Sequence, residues 1–426
     1  TDKEEKEEKW IKEMPYDAGK NYLTIHGPTE DYQVKKSAEG YVGYKVGIAQ
    51  VQENGATSYD ADKQKLTNSS TGKINFFGER SIGMYVYLPG STTDAIMRNE
   101  GEINLRGSES YGMKIAAKSD DRAEMVNTNT GKITLGKNGA DNASNSIAMA
   151  LTADSTVNGT GVGLKRGNAR NEGTIEVKDV QNSLGAYVNV DSSITSSGKI
   201  NINSTIAELT AAQTAAGEKQ PVNIGMRADG DTAAEVINKG SISLLGNYGI
   251  GMLTKNANLT NTGTINSTNI KNGIGIVGID HSVVKNSGAI KLLGTGQTNN
   301  IGILLKDGSN GAIGGASSAG VTQSVEVSGD NSTGILVSGE SSLQMAGNVV
   351  ASGNSVTGIV ADQSDITLNG NADITVDNSG NISEPIGTKG SYGIIVKKGT
   401  KGKFIGTDTN VNIKIKNPES VGLYSE

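Results

Sequence analysis

His26 and His281 are the only imidazoles in the chain, and it has no cysteine. Without a thiol there is no disulfide, no thiolate nucleophile and no Cys-based metal site. His281 follows Asp280 in "GIDHSV". An acid–base pair must converge on one substrate, whereas neighbours on a strand point to opposite faces, and no second carboxylate cluster recurs one repeat away. The pair therefore reads as turn polarity. Asp229 and Asp231 in "ADGDT" lack the later ligands of a calcium loop, so a turn is the better reading there too. "GVGLKRG" at 161–167 lacks the Gly-Lys-Ser/Thr ending of a phosphate loop, and no "GDSG"-like nucleophile segment occurs. The basic runs "KKGTKGK" at 397–403 and "LKRGNAR" at 164–170 read as solvated faces. No catalytic, cofactor-binding or metal-binding residue is assigned; neither an enzyme nor a cofactor is expected, and the fold is expected not to depend on metal.

What positions these groups has to be a thin structure. The 426 residues include 58 Gly but only 4% aromatics, which is poor material for a thick globular core. A net charge of -6 with 20% charged residues lacks the basic excess of a nucleic-acid binder, so no nucleic-acid partner is expected. No run of eighteen apolar residues occurs, and "TDKEEKEEKW" has no signal-type apolar stretch, so the given chain is expected to be soluble.

Internal repeats carry the architecture. A Gly, one residue, then Ile and an alternating partner recur as "NEGEINLRG", "NTGKITLG", "NEGTIEV", "SSGKINI", "INKGSISLLG" and "KNSGAIKLLG". A second element follows, as in "SIGMYVYL", "SYGMKIA", "NYGIGM" (aligned on Gly249), "NIGILL" and "STGILV". Its Gly, replaced by Ala148 in one copy, recurs from 83 to 422 in eleven steps averaging about 31 residues. Ile103 and Leu105 share one face while Glu102, Asn104 and Arg106 share the other, the period of a half-buried strand. No copy can bury its inner face alone, so copies must stack.

Stacked equivalent strands pair in parallel, and parallel crossovers are right-handed. The prediction is an all-β, right-handed parallel β-helix over 41–426, with roughly a dozen coils at about 4.8 Å each. Ile103, Ile133, Ile175, Ile200, Ile242 and Ile290 should stack in one buried column. The Gly before each strand suits a corner with positive φ or no room for Cβ. Asn99, Asn129, Asn171, Asn238, Asn261 and Asn286, two residues earlier, are expected to take a left-handed turn and stack their amides.

Interruptions of the rhythm are where binding is sought. Residues 203–221, "NSTIAELTAAQTAAGEKQP", have helical propensity and should protrude as a short helix, with Glu208, Gln213, Lys219 and Gln220 as candidate partner-binding residues. Smaller excursions fall at 136–145, 307–320 and 376–390. The charged segment 1–40 is set apart: "KEEKEEKWIKEM" pairs Glu5 with Lys9 and Glu8 with Lys12, predicting a short N-terminal helix that caps the open end. "ESVGLYSE" stops partway through a copy, so the chain is expected to continue past Glu426.

The copies "NEGTIEVKDVQNSLGAYV", "NKGSISLLGNYGIGML", "NSGAIKLLGTGQTNNIGILL" and "VSGDNSTGILV" resemble the passenger repeats of large autotransporter (type V secreted) adhesins, in particular those of fusobacteria, over about residues 65–426. The resemblance implies a non-catalytic passenger at the bacterial cell surface, in the outer membrane or secreted. Such a passenger attaches to a cell-surface protein or glycan of other bacteria or of host cells, and meets the membrane only through a C-terminal β-barrel outside this sequence. The segment is expected to be a monomer. No binding motif is matched, so no functional residue carries over. The alternatives are a polysaccharide-active β-helix enzyme and a non-binding spacer rod of a larger passenger.

Overall fold

The structure, a computed structural model, describes residues 45–51, 65–88, 94–117, 122–136, 144–153, 166–230, 233–294, 298–314, 323–377, 390–397, 403–407, 411–416 and 420–425. The expected N-terminal helix lies outside these residues, as do His26, Asp231, the "GVGLK" stretch, most of "KKGTKGK", and much of the three smaller excursions.

Most coils contribute three short strands. One such coil is Asn258–Asn261, Thr264–Lys271 and Ile274–Ile279; the next is Val283–Asn286, Ala289–Leu292 and Ile301–Leu305. Equivalent strands pair in parallel, Leu259 over Val284, Ile265 over Ile290 and Ile276 over Ile303. The chain is thus a parallel β-helix with three sides. The third side is a 13-stranded sheet. The other two merge into one 22-stranded sheet because the long strands Ser342–Ser352 and Asp365–Asp377 run through the corner between them.

The core is a set of ladders of like side chains. Ile74, Ile103, Ile133, Ile175, Ile200 and Ile242 lie in register, followed by Ile265 and Ile290, and all are fully buried. On the third side, Met84, Met113 and Met149 form a matching inward ladder. Full burial of each such side chain contributes about 1.5–3 kcal/mol, shared between neighbouring coils that cannot bury it alone.

The corner between the first two sides is held by buried amides. Asn68 Nδ2 donates to Asn99 Oδ1 at 2.7 Å, Asn99 to Asn127 at 2.8 Å, Asn127 to Asn171 at 2.8 Å, and Asn171 to Ser196 Oγ at 3.0 Å. The ladder resumes from Asn238 to Asn261 to Asn286 at 2.8 and 2.6 Å. Two expectations are corrected here. Asn127 holds the ladder position and Asn129 is exposed, because "NTNTG" places two extra residues before Gly131. None of these ladder residues has positive φ. Their amides must point inward, and backbone that is not left-handed keeps them there.

Left-handed residues occupy the other two corners: Arg80, Glu109, Asn145, Asn182, Tyr248 and Asn272 before the third side, and Asn256, Asp280 and Asp307 after it. Serines follow most of them within two residues, but Gly249, Gly273 and Ala257 follow Tyr248, Asn272 and Asn256. Ser110 Oγ accepts from Ser81 N at 3.1 Å, Ser146 Oγ from Ser110 N at 3.1 Å, and Ser183 Oγ from Ser146 N at 3.2 Å. At the far corner Ser309, Ser341 and Ser364 repeat the device. The buried backbone donors that each turn strips from the sheet are thereby paired. The glycine at the Asn corner serves close approach: a Cβ on Gly240 would collide with the Gly198 carbonyl of the coil below. On the third side Gly251, not Gly249, shares the repeat position with Gly225.

The outer faces differ. The second side carries cross-coil ion pairs, Lys132 to Glu176 at 3.1 Å and Lys291 to Glu326 at 3.0 Å. The third side instead presents Ile250, Ile274, Leu253, Val277 and Leu304 outward, a hydrophobic cluster separate from the core.

Candidate functional site

The largest described interruption leaves the rod after Lys199–Ser204 and rejoins it at Asn223–Asp229. Its roots are structural. Ser204 and Asn223 are fully buried, with Asn223 Nδ2 donating to Val180 O at 2.6 Å and Ser204 Oγ at 3.1 Å. Ile206 is 2% exposed, and its carbonyl accepts from Asn247 Nδ2 at 3.2 Å. The free part of the element is therefore 207–220, shorter at its start than the sequence pattern indicated.

Its tip is a helix, α1 (Ala211–Ala215), with no buried residue. One turn this short would not persist alone in water. Three local devices hold it. Thr210 and Gln213 form a reciprocal capping box. Gly217, at φ +79°, ends the helix in the left-handed conformation, and Glu218 N donates back to Gln213 O at 3.1 Å. Gln220 bridges outgoing and returning chain, accepting from Leu209 N at 3.0 Å and donating to Ala207 O at 2.9 Å.

The four candidate residues thus divide. Gln213, which also donates to Glu218 Oε2 at 3.0 Å, and Gln220 spend their polar atoms on the element itself. Lys219 is exposed. Glu208, with 68% of its side chain exposed, faces Lys271 Nζ at 3.7 Å and hydrogen-bonds Tyr248. Partial burial, then the Glu208 carboxylate, push the Tyr248 phenol above its usual range. Tyr248 and Lys271 were not singled out by sequence. The available signal was Tyr248 itself, an aromatic at the left-handed corner where Asn145, Asn182, Asn272 and Asn299 stand in other coils. Together Glu208, Lys219, Tyr248 and Lys271 offer a carboxylate, two ammonium groups and a half-buried phenol at and near the foot of the element.

Elsewhere several ionisable groups are paired. Asp280 and His281 sit in a left-handed turn with Nδ1 and Oδ1 3.4 Å apart and 78% of the imidazole side chain exposed. Asp229 is paired with Arg227 at 2.6 Å. Arg170 joins Glu124 at 2.6 Å and Glu172 at 3.1 Å. Burial alone would raise the Glu176 carboxyl, but Lys178 and Lys132 outweigh it and hold the group below the usual carboxylate range. Among the described residues no group of three or more His, Cys, Asp or Glu is placed to hold a metal ion. A shallow hollow of about 220 Å³ lies on the first side between Glu235, Thr260, Val283 and Lys285, with Thr260 Oγ1 donating to Glu235 at 2.9 Å. No helix of the described residues is long and apolar enough to cross a membrane.

No family model, curated protein or solved structure matches this chain.

Proposed function

We propose that this chain is a segment of a surface-exposed adhesin passenger, a rod that attaches its cell to other bacteria or to host cells through a protein or glycan. The reading rests on its resemblance to autotransporter passenger repeats and on one structural observation. A stacked β-helix carries a single described side element, locked by a capping box and the Gln220 bridge, with Lys219 exposed and Glu208 largely exposed beside Tyr248 and Lys271. Loops on a rigid scaffold are the usual bearers of recognition, and a pre-ordered loop loses less entropy on binding. Glu208, Lys219, Tyr248 and Lys271 are the contact residues of this proposal; Gln213 and Gln220 position them. Placement at the cell surface, in the outer membrane or in the secreted fraction belongs to the same proposal.

The test is attachment of the fluorescently labelled chain to intact bacterial and host cells by flow cytometry. The comparison is with a variant whose residues 207–220 are replaced by a short Gly-Ser link. Saturable attachment that falls with the replacement supports the reading. Attachment that survives it moves recognition to another part of the rod, and no attachment to any cell leaves a spacer.

A further inference from the structure

We infer that the outer face of the third side is a self-association surface, and that its occupant is a second copy of this chain. The argument starts from alternation. On a strand covered on one face only, outward positions are polar. Here Ile250, Ile274 and Ile301 form one outward column, and Leu253, Val277 and Leu304 the next, in register from coil to coil. Leu336, Val360 and Ile395 continue the second column. The columns cover one another, so Val277 is only 4% exposed and most of the rest are half-buried, which makes the surface flat and close-packed.

Charge does not oppose pairing. The second column holds two cations, and each is occupied within its own face: Lys114 Nζ lies 4.2 Å from the Tyr111 ring centre, and Arg227 is paired with Asp229 at 2.6 Å. Along one edge run Lys255, Lys306, Asp362 and Lys397, the last two 3.6 Å apart, so an apolar centre has a polar rim of mixed sign.

Size and shape select the occupant. Thirteen strands at about 4.8 Å make a strip about 58 Å long and about 14 Å wide, or about 800 Å², which is what each partner of a standard protein interface buries. A strip built on a regular coil repeat is matched by a second strip with the same repeat. Two copies related by a two-fold axis bring identical columns together, the isologous arrangement of most homodimers. Val222, at the return of the side element, packs on the margin of the same cluster. The element and a partner copy therefore adjoin the same face.

Sedimentation velocity of the full chain across a concentration series tests this. Twice the 44.0 kDa chain mass is expected in the micromolar range. Leu304→Glu is expected to weaken the dimer by more than about tenfold, and Leu304→Thr, which keeps strand propensity, by less. Lys285→Glu on the first side should leave it unchanged. Circular dichroism confirms that each variant keeps its β-sheet. A wild-type chain that stays monomeric at every concentration overturns the inference. So does a dimer that the folded Leu304 variants leave intact, or that Lys285→Glu dissolves equally.

Discussion

A coil of the rod and the side element at 207–220 solve opposite problems with the same residue types. In the coil, polar side chains are buried and spent on the neighbouring coil: Asn99 reaches Asn127, and Ser110 is reached by Ser81. In the side element, polar side chains are exposed and spent within a few positions, Gln213 on Thr210 and Gln220 on Leu209 and Ala207. Coil stability is consequently shared between neighbours, whereas the element's is local. A change in one coil is felt above and below, and a change in the element should stop at Ile206 and Val222.

The sharpest way to break that contrast is a buried charge. Ile242→Asp is expected to cost about 3–5 kcal/mol in urea unfolding, because the carboxylate has no partner in a fully apolar ladder. Ala212→Asp on exposed α1 should stay within about 0.5 kcal/mol. Equal effects would erase the distinction.

Glycine separates crowding from conformation. Gly240→Ala pushes a methyl into the Gly198 carbonyl and is expected to cost about 2–3 kcal/mol. Gly217→Ala meets nothing within 4 Å and pays only for its φ of +79°, about 1 kcal/mol. Thermal melts of the two variants rank them.

Removing one rung of the amide ladder is expected to be milder than the buried charge. Asn99→Ala leaves the Asn68 donor and the Asn127 acceptor unpaired, a loss of about 1–3 kcal/mol. Gln220→Ala, with both partners near solvent, should fall below it.

A pH dependence distinguishes the coil surface. Glu176 has its carboxyl held low in the folded chain, so its charged form adds stability that is fully present above the ordinary carboxylate range. That increment is lost as pH falls through the lowered value. Glu176→Gln should therefore be less stable than wild type at neutral pH, and the gap should close on acidification. A gap that widens in acid reverses the assignment.

The smallest effect expected is from exchanging 207–220 for a short Gly-Ser link. Loop length is weakly coupled to stability, at roughly 0.6 kcal/mol per doubling. A large drop in melting temperature would show that the element belongs to the rod.

Most of the fold was legible because the apolar period and the glycine spacing recur at equivalent places. The Ile column from Ile103 to Ile290 stands where alternation put it. Errors arose where copies differ in length. "NTNTG" shifted the expected ladder residue from Asn127 to Asn129, and "GIG" drew the repeat glycine to Gly249 in place of Gly251. The left-handed corners were hidden because residues as different as Arg80, Glu109 and Tyr248 fill them, and the serine that follows Arg80 and Glu109 is a glycine after Tyr248. The outer stripe was present in the sequence as doubly apolar runs such as "IGILL", which a simple alternation rule reads as one buried face. At the side element, sequence placed the protrusion but could not tell outward polar groups from those consumed internally, since Gln213 and Gln220 differ from Lys219 only in what lies within reach.

The amide ladder also sets how this rod behaves under load. Its hydrogen bonds run from coil to coil along the axis, so tension applied at the two ends opens an end coil before it shears any interior one. Sequence separations along the ladder run from 23 to 44 residues. Each detachment therefore releases about 80–150 Å of extended chain at about 3.3 Å per residue. The rod yields in steps rather than at once, lengthening under a pull while the remaining stack stays folded and offers a template for the released coil to return.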